Sequence, residues 1–216
     1  NAIQTGEEAM TSENQETVDK AVEQLRNAMN SLVEANLNQV VKIQDEYLRK
    51  AIQKQLNLSG QITVGDMRKL VSLNLSQVES LEGLQYAINL QSLNIKYNEI
   101  RDLSPLKNLK KLTDLKANPI GGLMSTNIRP QNNKATINFD FINREGKKLA
   151  PTLITLKNNK TQEVKQLNVG ECVDENGLVT INTEGLAACF YTVMLTYQDR
   201  ANNCTAQYMF MINNEQ

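Results

Sequence analysis

The chain has 216 residues, a formal net charge of −1, and 40% hydrophobic and 22% charged residues; at about 150 residues per domain that is one or two domains. It contains no histidine and no tryptophan, which removes Ser-His-Asp triads, Cys-His dyads and HExxH zinc sites before any motif is read. The near-zero charge leaves no electrostatic footprint for nucleic acid or anionic lipid.

Asn1 and Ala2 read as the remainder of a cleaved tag and are left out of the fold reading. No signal peptide precedes them, so the chain reads as a mature fragment whose targeting segments have been removed. From 17 to 34 the pattern is helical. Val18, Ala21, Val22, Leu25, Ala28, Met29, Leu32 and Val33 form one apolar stripe, expected to pack on a helical cap. Ser12 with Gln15 is a weak capping box ahead of it. Asp45 is the expected N-cap of a second helix with Leu48, Ala51, Ile52 and Leu56 on one face, ended by Ser59-Gly60. Thr63 with Asp66 is a further capping box, opening a helical turn through Leu70.

From Leu70 to Leu123 there are 13 leucines in 54 residues, arranged as an internal repeat. Leu70, Leu90 and Leu112 begin the units. Leu73, Leu93 and Leu115, then Leu75, Ile95 and Ala117, hold the next inward positions. Val78/Ile100, Leu81/Leu103, Leu84/Leu106 and Ala87/Leu109 recur 22 apart. An LxxLxL period puts alternate residues of a short strand inward, and the remaining leucines return the chain on the convex side. No unit has a complete core, so the units stack. Asn98 sits where such a turn needs a side-chain amide to satisfy backbone groups.

Beyond 124 the pattern alternates. Ala135, Ile137, Phe139 and Phe141 do so, as do Tyr191, Val193, Leu195 and Tyr197, and Cys204, Ala206, Tyr208, Phe210 and Ile212. Leu153 and Leu156, then Val164, Leu167 and Val169, mark shorter strands, and Asn176-Gly177 is a hairpin turn signal. Six or seven short strands without helices predict a β-sandwich. The polar stretch 127–133 reads as a linker, with the boundary near 126. The run Leu186–Leu195 is far short of the roughly 18 residues of a membrane span and reads as a buried strand. The fold expected is α+β: a helical cap on a short leucine-rich repeat solenoid over 3–126 (repeats about 70–123), then an all-β domain over 127–216.

The three cysteines, Cys172, Cys189 and Cys204, have no CxxC spacing. Pairing Tyr197 with Cys204 across a hairpin places Cys189 opposite about residue 212, too far from Cys204 for a bridge. They read as small buried hydrophobes, with a disulfide through Cys172 left open.

Residues 40–123 resemble the internalin-type leucine-rich repeat region of Gram-positive surface proteins. Asp45, Leu48, Ala51-Ile52, Ile62-Thr63, Asp66-Met67 and Leu81-Glu82-Gly83-Leu84 carry the likeness, and Asp102-Leu103-Ser104-Pro105-Leu106 matches the convex-side signature. The segment Gly185–Asn203 is similar to bacterial immunoglobulin-like domains, with Asn202 at the usual Gly. The resemblance implies an immunoglobulin-like fold for 127–216 and an extracellular, bacterial cell-surface or secreted location.

Any binding by the repeats would use the outward strand positions Ser72, Asn74, Ser76, Ser92, Asn94, Lys96, Asp114 and Lys116, which alternate with the inward leucines. They also read as a merely soluble strand face. Tyr86 and Tyr97 read as turn or convex-side packing. Glu79 with Glu82, and Asp174 with Glu175, read as solvated turn charges, because no cleft signature brings two carboxyls together. Asn57-Leu58-Ser59, Asn74-Leu75-Ser76 and Asn203-Cys204-Thr205 match glycosylation acceptors by chance in an amide-rich chain. No catalytic residue, cofactor or metal is expected. The function expected is non-catalytic binding of a protein or glycan partner; the alternatives are a spacer and an ancillary part of a larger secreted enzyme.

Overall fold

The computed structural model of the protein describes residues 15–215; Asn1, Ala2 and the Ser12 cap lie outside them. Over the described residues the chain is α+β, with four sheets and a helical start. Helix α1 spans Gln15–Leu37, longer than expected at both ends. Its apolar stripe does not pack as one face. Ala21 is buried and Val18, Leu25 and Ala28 are half-buried, whereas Met29 is 65% and Leu32 72% exposed, with Val22 and Val33 also outward. Eight residues at helical spacing cover more than one face, and a single contact buries only one of them.

Helix α2 spans Glu46–Leu56. The Asp45 carboxylate accepts the Leu48 N–H at 2.9 Å through Oδ1. Its Oδ2 accepts from Glu79 N at 2.8 Å and Ser80 N at 3.0 Å, so one side chain caps the helix and holds the first repeat's turn. The helix stops at Asn57, in the left-handed region at φ 53°, two residues before the expected Ser59-Gly60. Asn enters that conformation at low cost, so the chain needs no glycine there. The short helix α3, Val64–Met67, carries the expected capping box: Thr63 Oγ1 accepts from Asp66 N at 3.2 Å, and Thr63 N donates to Asp66 Oδ2 at 3.1 Å.

Strands β1 (Ser72–Asn74), β2 (Ser92–Asn94) and β3 (Asp114–Lys116) form a parallel sheet in that order. Every inward leucine, isoleucine, valine and alanine of the repeat is buried except Leu115, which is half-buried. Asn98 is 1% exposed. Its Nδ2 donates to Leu75 O at 3.0 Å and Lys96 O at 3.1 Å, and its Oδ1 accepts from Val78 N at 2.8 Å, tying adjacent turns together.

Strand β4, Ile120–Ile128, crosses position 126 and pairs in parallel with β12, Cys204–Asn213. The five-stranded sheet runs β4–β12–β11–β8–β9, with β8 at Leu153–Asn158, β9 at Val164–Leu167 and β11 at Phe190–Asp199. The segment 127–133 is therefore no free linker. Asn127 and Ile128 lie in β4, and Gln131–Lys134 close a tight turn through left-handed Asn132 and Asn133. Gly121 faces Gln207 at φ 119°, and a Cβ there would lie 1.9 Å from the Gln207 carbonyl oxygen, so only glycine allows this pairing. Strands β5 (Lys134–Ile137) and β10 (Val179–Asn182) form a second layer on the same core, and β6 (Phe141–Ile142) pairs with β7 (Lys148–Leu149). Val169, expected in a strand, begins the one-turn helix α4, Val169–Cys172, because Asn168 caps it by accepting from Gly170 N. The β11–β12 hairpin closes with Asp199 opposite Cys204, since Arg200–Asn202 form a helical turn and Asn203 is left-handed. That shifts the expected register by two residues, and the Cys189 carbonyl meets Asn214. All three cysteines are free.

The β region is bonded to the repeats. Leu103 N donates to Ile142 O at 3.0 Å, and Ile142 N to Arg101 O at 2.9 Å. Arg144 donates through Nε to Leu106 O at 3.0 Å and through Nη2 to Leu109 O at 2.7 Å. The Tyr208 hydroxyl donates to Ile100 O.

Asn98→Ala strands one buried N–H and two carbonyls and is expected to cost about 3 kcal/mol. Asn108→Ala, at an exposed amide of the same stack, is expected to stay within about 0.5 kcal/mol. Urea unfolding of the two variants checks this. The Asp66 carboxyl lies below its ordinary 3.8, mainly through the hydrogen bond from Lys69 at 2.8 Å and further through those from Thr63. A lowered folded-state pKa gives stability present above that ordinary value and lost as pH falls through the folded one. The thermal-midpoint gap between wild type and Asp66→Asn should therefore shrink between about pH 6 and about pH 3.

Candidate ligand-binding face

Parallel pairing without slip puts the outward residues in two cross-strand rows, Ser72–Ser92–Asp114 and Asn74–Asn94–Lys116. The Leu73, Leu93 and Leu115 row between them points to the core and fixes the face. Ser76 and Lys96 lie two residues beyond β1 and β2 and are exposed, whereas Ser92 and Asn94 on the central strand are half-buried. The structure thus brings all eight sequence-expected residues to one surface. Ser92 Oγ donates to Asp114 Oδ2 at 2.8 Å, and Lys116 Nζ stands 3.6 Å from the same oxygen. Asn94 Oδ1 accepts from Lys96 N at 3.2 Å. The surface offers hydroxyl and amide groups with one exposed ion pair, an arrangement for hydrogen-bonding a polar ligand.

Tyr86 packs half-buried against the core, as a convex-side residue should. Tyr97 differs: it is 78% exposed, left-handed at φ 61°, and adjoins Lys96 at the end of the face. Gln77, left-handed at φ 63°, takes the same place one repeat earlier. The repeat alignment held the signal, because it sets an aromatic residue against a polar one at a solvent-facing turn.

Two thiols and two phenols are held neutral by burial. Burial, with the Asp199 charge adding to it, pushes the Cys204 thiol up to about 12. Burial also raises Cys172, beside Glu171, and Tyr197 and Tyr208. Glu82 accepts from Gln85 and Asp174 from Asn176 and Leu178, so these carboxylates serve their own turns. Among the described residues no group of three or more Asp, Glu or Cys is placed to hold a metal, and no helix is long and apolar enough to cross a membrane.

No protein-family model and no curated protein matches the chain. Solved structures do. The CBM51-2 and INT domains of Clostridium perfringens ZmpB align over 99% of this chain at 39% identity and a TM-score of 0.71. The same domains, with CBM51-2 in complex with GlcNAc, align over 98% at 40% identity and a TM-score of 0.67. This chain spans 45% and 44% of those two molecules. An internalin of Listeria monocytogenes aligns over 33% of this chain and 23% of its own, at 34% identity and a TM-score of 0.32. The likeness over the full chain is therefore to the ZmpB domains.

The Asp114–Lys116 pair is about half exposed on both sides, and such pairs contribute roughly 0–1 kcal/mol. Lys116→Ala is therefore expected to leave stability within about 0.5 kcal/mol of wild type. Denaturant unfolding checks it and makes the variant usable in binding work.

Proposed function

We propose that this chain is a non-catalytic, extracellular ancillary region of a larger bacterial surface or secreted protein, binding a glycan or protein partner. One observation carries the reading: 39% identity over 99% of the chain to a structure of the CBM51-2 and INT domains of Clostridium perfringens ZmpB. The GlcNAc in the related complex belongs to CBM51-2. The ligand of this chain is therefore its own question. In this reading, a cap and leucine-rich repeat unit over 3–126 and an immunoglobulin-like sandwich over 127–216 share strand β4. The outward rows on β1–β3, with Ser72, Asn74, Ser92, Asn94, Lys96, Asp114 and Lys116, form the contact face, and Tyr97 supplies a ring on which a sugar can stack.

The test is a screen of the immobilised chain against neutral glycans and host surface proteins. A ligand found for wild type should lose at least about tenfold in affinity with Asn94→Ala plus Lys96→Ala, a loss of about 1.4 kcal/mol. Binding unchanged in that variant removes the concave face from the proposal, and a blank screen for wild type overturns the binding reading. A spacer role is the second reading, favoured by the Arg144, Ile142 and Tyr208 bonds that fasten the β region to the repeats. It expects the blank screen.

A further inference from the structure

A surface cleft with two basic residues lies beside the helical cap. A cleft of about 490 Å³ runs between segment 40–43 and the loop after α2, and its polar lining is Lys42, Arg49, Gln53, Ser59, Gly60 and Gln61. Gln53 Nε2 donates to the Gly60 carbonyl at 2.8 Å and fixes one wall. A Cβ on Gly60 would meet nothing within 4 Å, so the space beside this residue is open.

The charge of this cleft is one-sided. Lys42 and Arg49 are exposed, and neither enters an ion pair among the described residues. The nearest carboxylate on the helix, Glu46, is held by Lys50 at 2.7 Å. Asp45, at the start of the helix, accepts three backbone N–H groups. Four other surface clefts each carry a carboxylate of their own: Glu163, Glu171 with Glu184, Glu215, and Asp199. Here there is none, on a chain whose net charge is −1.

Arg49 also acts on the Glu46 charge, but two cations at a cleft with no carboxylate among its described lining favour an anion. A guanidinium takes a carboxylate or sulfate through two parallel hydrogen bonds, and an ammonium adds a point charge. Beside the apolar Val40, Val41, Ile43 and Ile62, the remaining lining holds a hydroxyl and two side-chain amides, groups that pair with ring hydroxyls.

We infer that this cleft binds an anionic saccharide, with its carboxylate or sulfate group held by Lys42 and Arg49 and its hydroxyls met by Ser59 and Gln61. The choice of a saccharide rests on the binding reading above; the preference for an anion rests on the cleft alone.

The test titrates the full chain by NMR with four probes of similar length: a uronate oligosaccharide, a sulfated oligosaccharide, a neutral oligosaccharide and an oligoglutamate peptide. At least one anionic saccharide should bind, more weakly as salt rises. Lys42→Gln with Arg49→Gln should lower that affinity at least about tenfold with the thermal midpoint unchanged, whereas Lys42→Arg with Arg49→Lys should retain binding. Which anionic saccharide binds identifies carboxylate or sulfate as the recognised group. Blank anionic arms beside neutral binding lost in Asn94→Ala plus Lys96→Ala overturn this inference and leave the contact face standing. Anionic binding that survives the double Gln substitution overturns it too, and so does a peptide bound better than either saccharide. Blanks in every arm overturn this inference and leave the contact face to the screen with host surface proteins.

Discussion

A repeat stack has an end, and its last unit has no successor to cover the inward side. Ile100, Leu103, Leu106 and Leu109 are all fully buried, yet only half a further unit follows them in the chain. The β region covers this end. Phe139 and Phe141 sit with Tyr197 and Tyr208 in one ring cluster, with centroids 4.4 to 6.2 Å apart. Arg101, on the repeat side, stands 5.1 Å from the Phe139 ring centroid. Apolar covering alone would strand the carbonyls of the last convex turn, a cost comparable to a lost hydrogen bond each. Arg144 and the Tyr208 hydroxyl take up the Leu106, Leu109 and Ile100 carbonyls. Nearest-neighbour contacts are what stabilise repeats, so the few units here depend on that cover as much as on each other.

The other end of the stack meets the same need with less material. There the Asp45 carboxylate serves three N–H groups, one from its own helix and two from a turn more than thirty residues away. Asn98 does the equivalent between repeats. The amide excess has the same origin. Asn94, Asn158, Asn168, Asn182 and Asn213 each accept a backbone N–H two residues on, and Asn57, Asn132, Asn133 and Asn203 occupy left-handed positions. Asn closes turns by both routes where glycine would offer only one. A chain with 10 Gly and 4 Pro for so many turns therefore carries its turn chemistry in amides.

What the sequence disclosed follows from where the determining partner sits. The inward leucines, the Asp45 and Thr63 caps and the outward strand rows are set by residues within one turn or one repeat, and local periodicity shows them. Asp45's hold on Glu79 and Ser80, and the reach of Arg144 and Tyr208, join segments far apart, and no local pattern carries them. Strand β4 was hidden because Gly121 and Gly122 interrupt its apolar alternation, and the reason for Gly121 is the Gln207 carbonyl on a strand some eighty residues later. The hairpin register moved by two because Asn203 enters the left-handed region, a choice that Asn permits without demanding. On the proposed contact face the strand residues were legible in the periodicity; the alignment of Tyr97 with Gln77 marked a solvent-facing turn, but an aromatic there gives the same pattern whether it packs or projects.

The size of that face constrains what it can hold. Three strands at about 4.8 Å spacing span roughly 10 Å, against about 800 Å² per partner for a standard protein interface. In the proposed binding role, Ser72 through Lys116 therefore match one or two sugar rings, or a fraction of a protein surface. No fourth repeat extends the sheet, because the chain leaves it at Ile120 for the β region. The last repeat is thus covered at the expense of a broader face, and a larger partner must find further contact elsewhere on the cap, at the β1 end of the sheet.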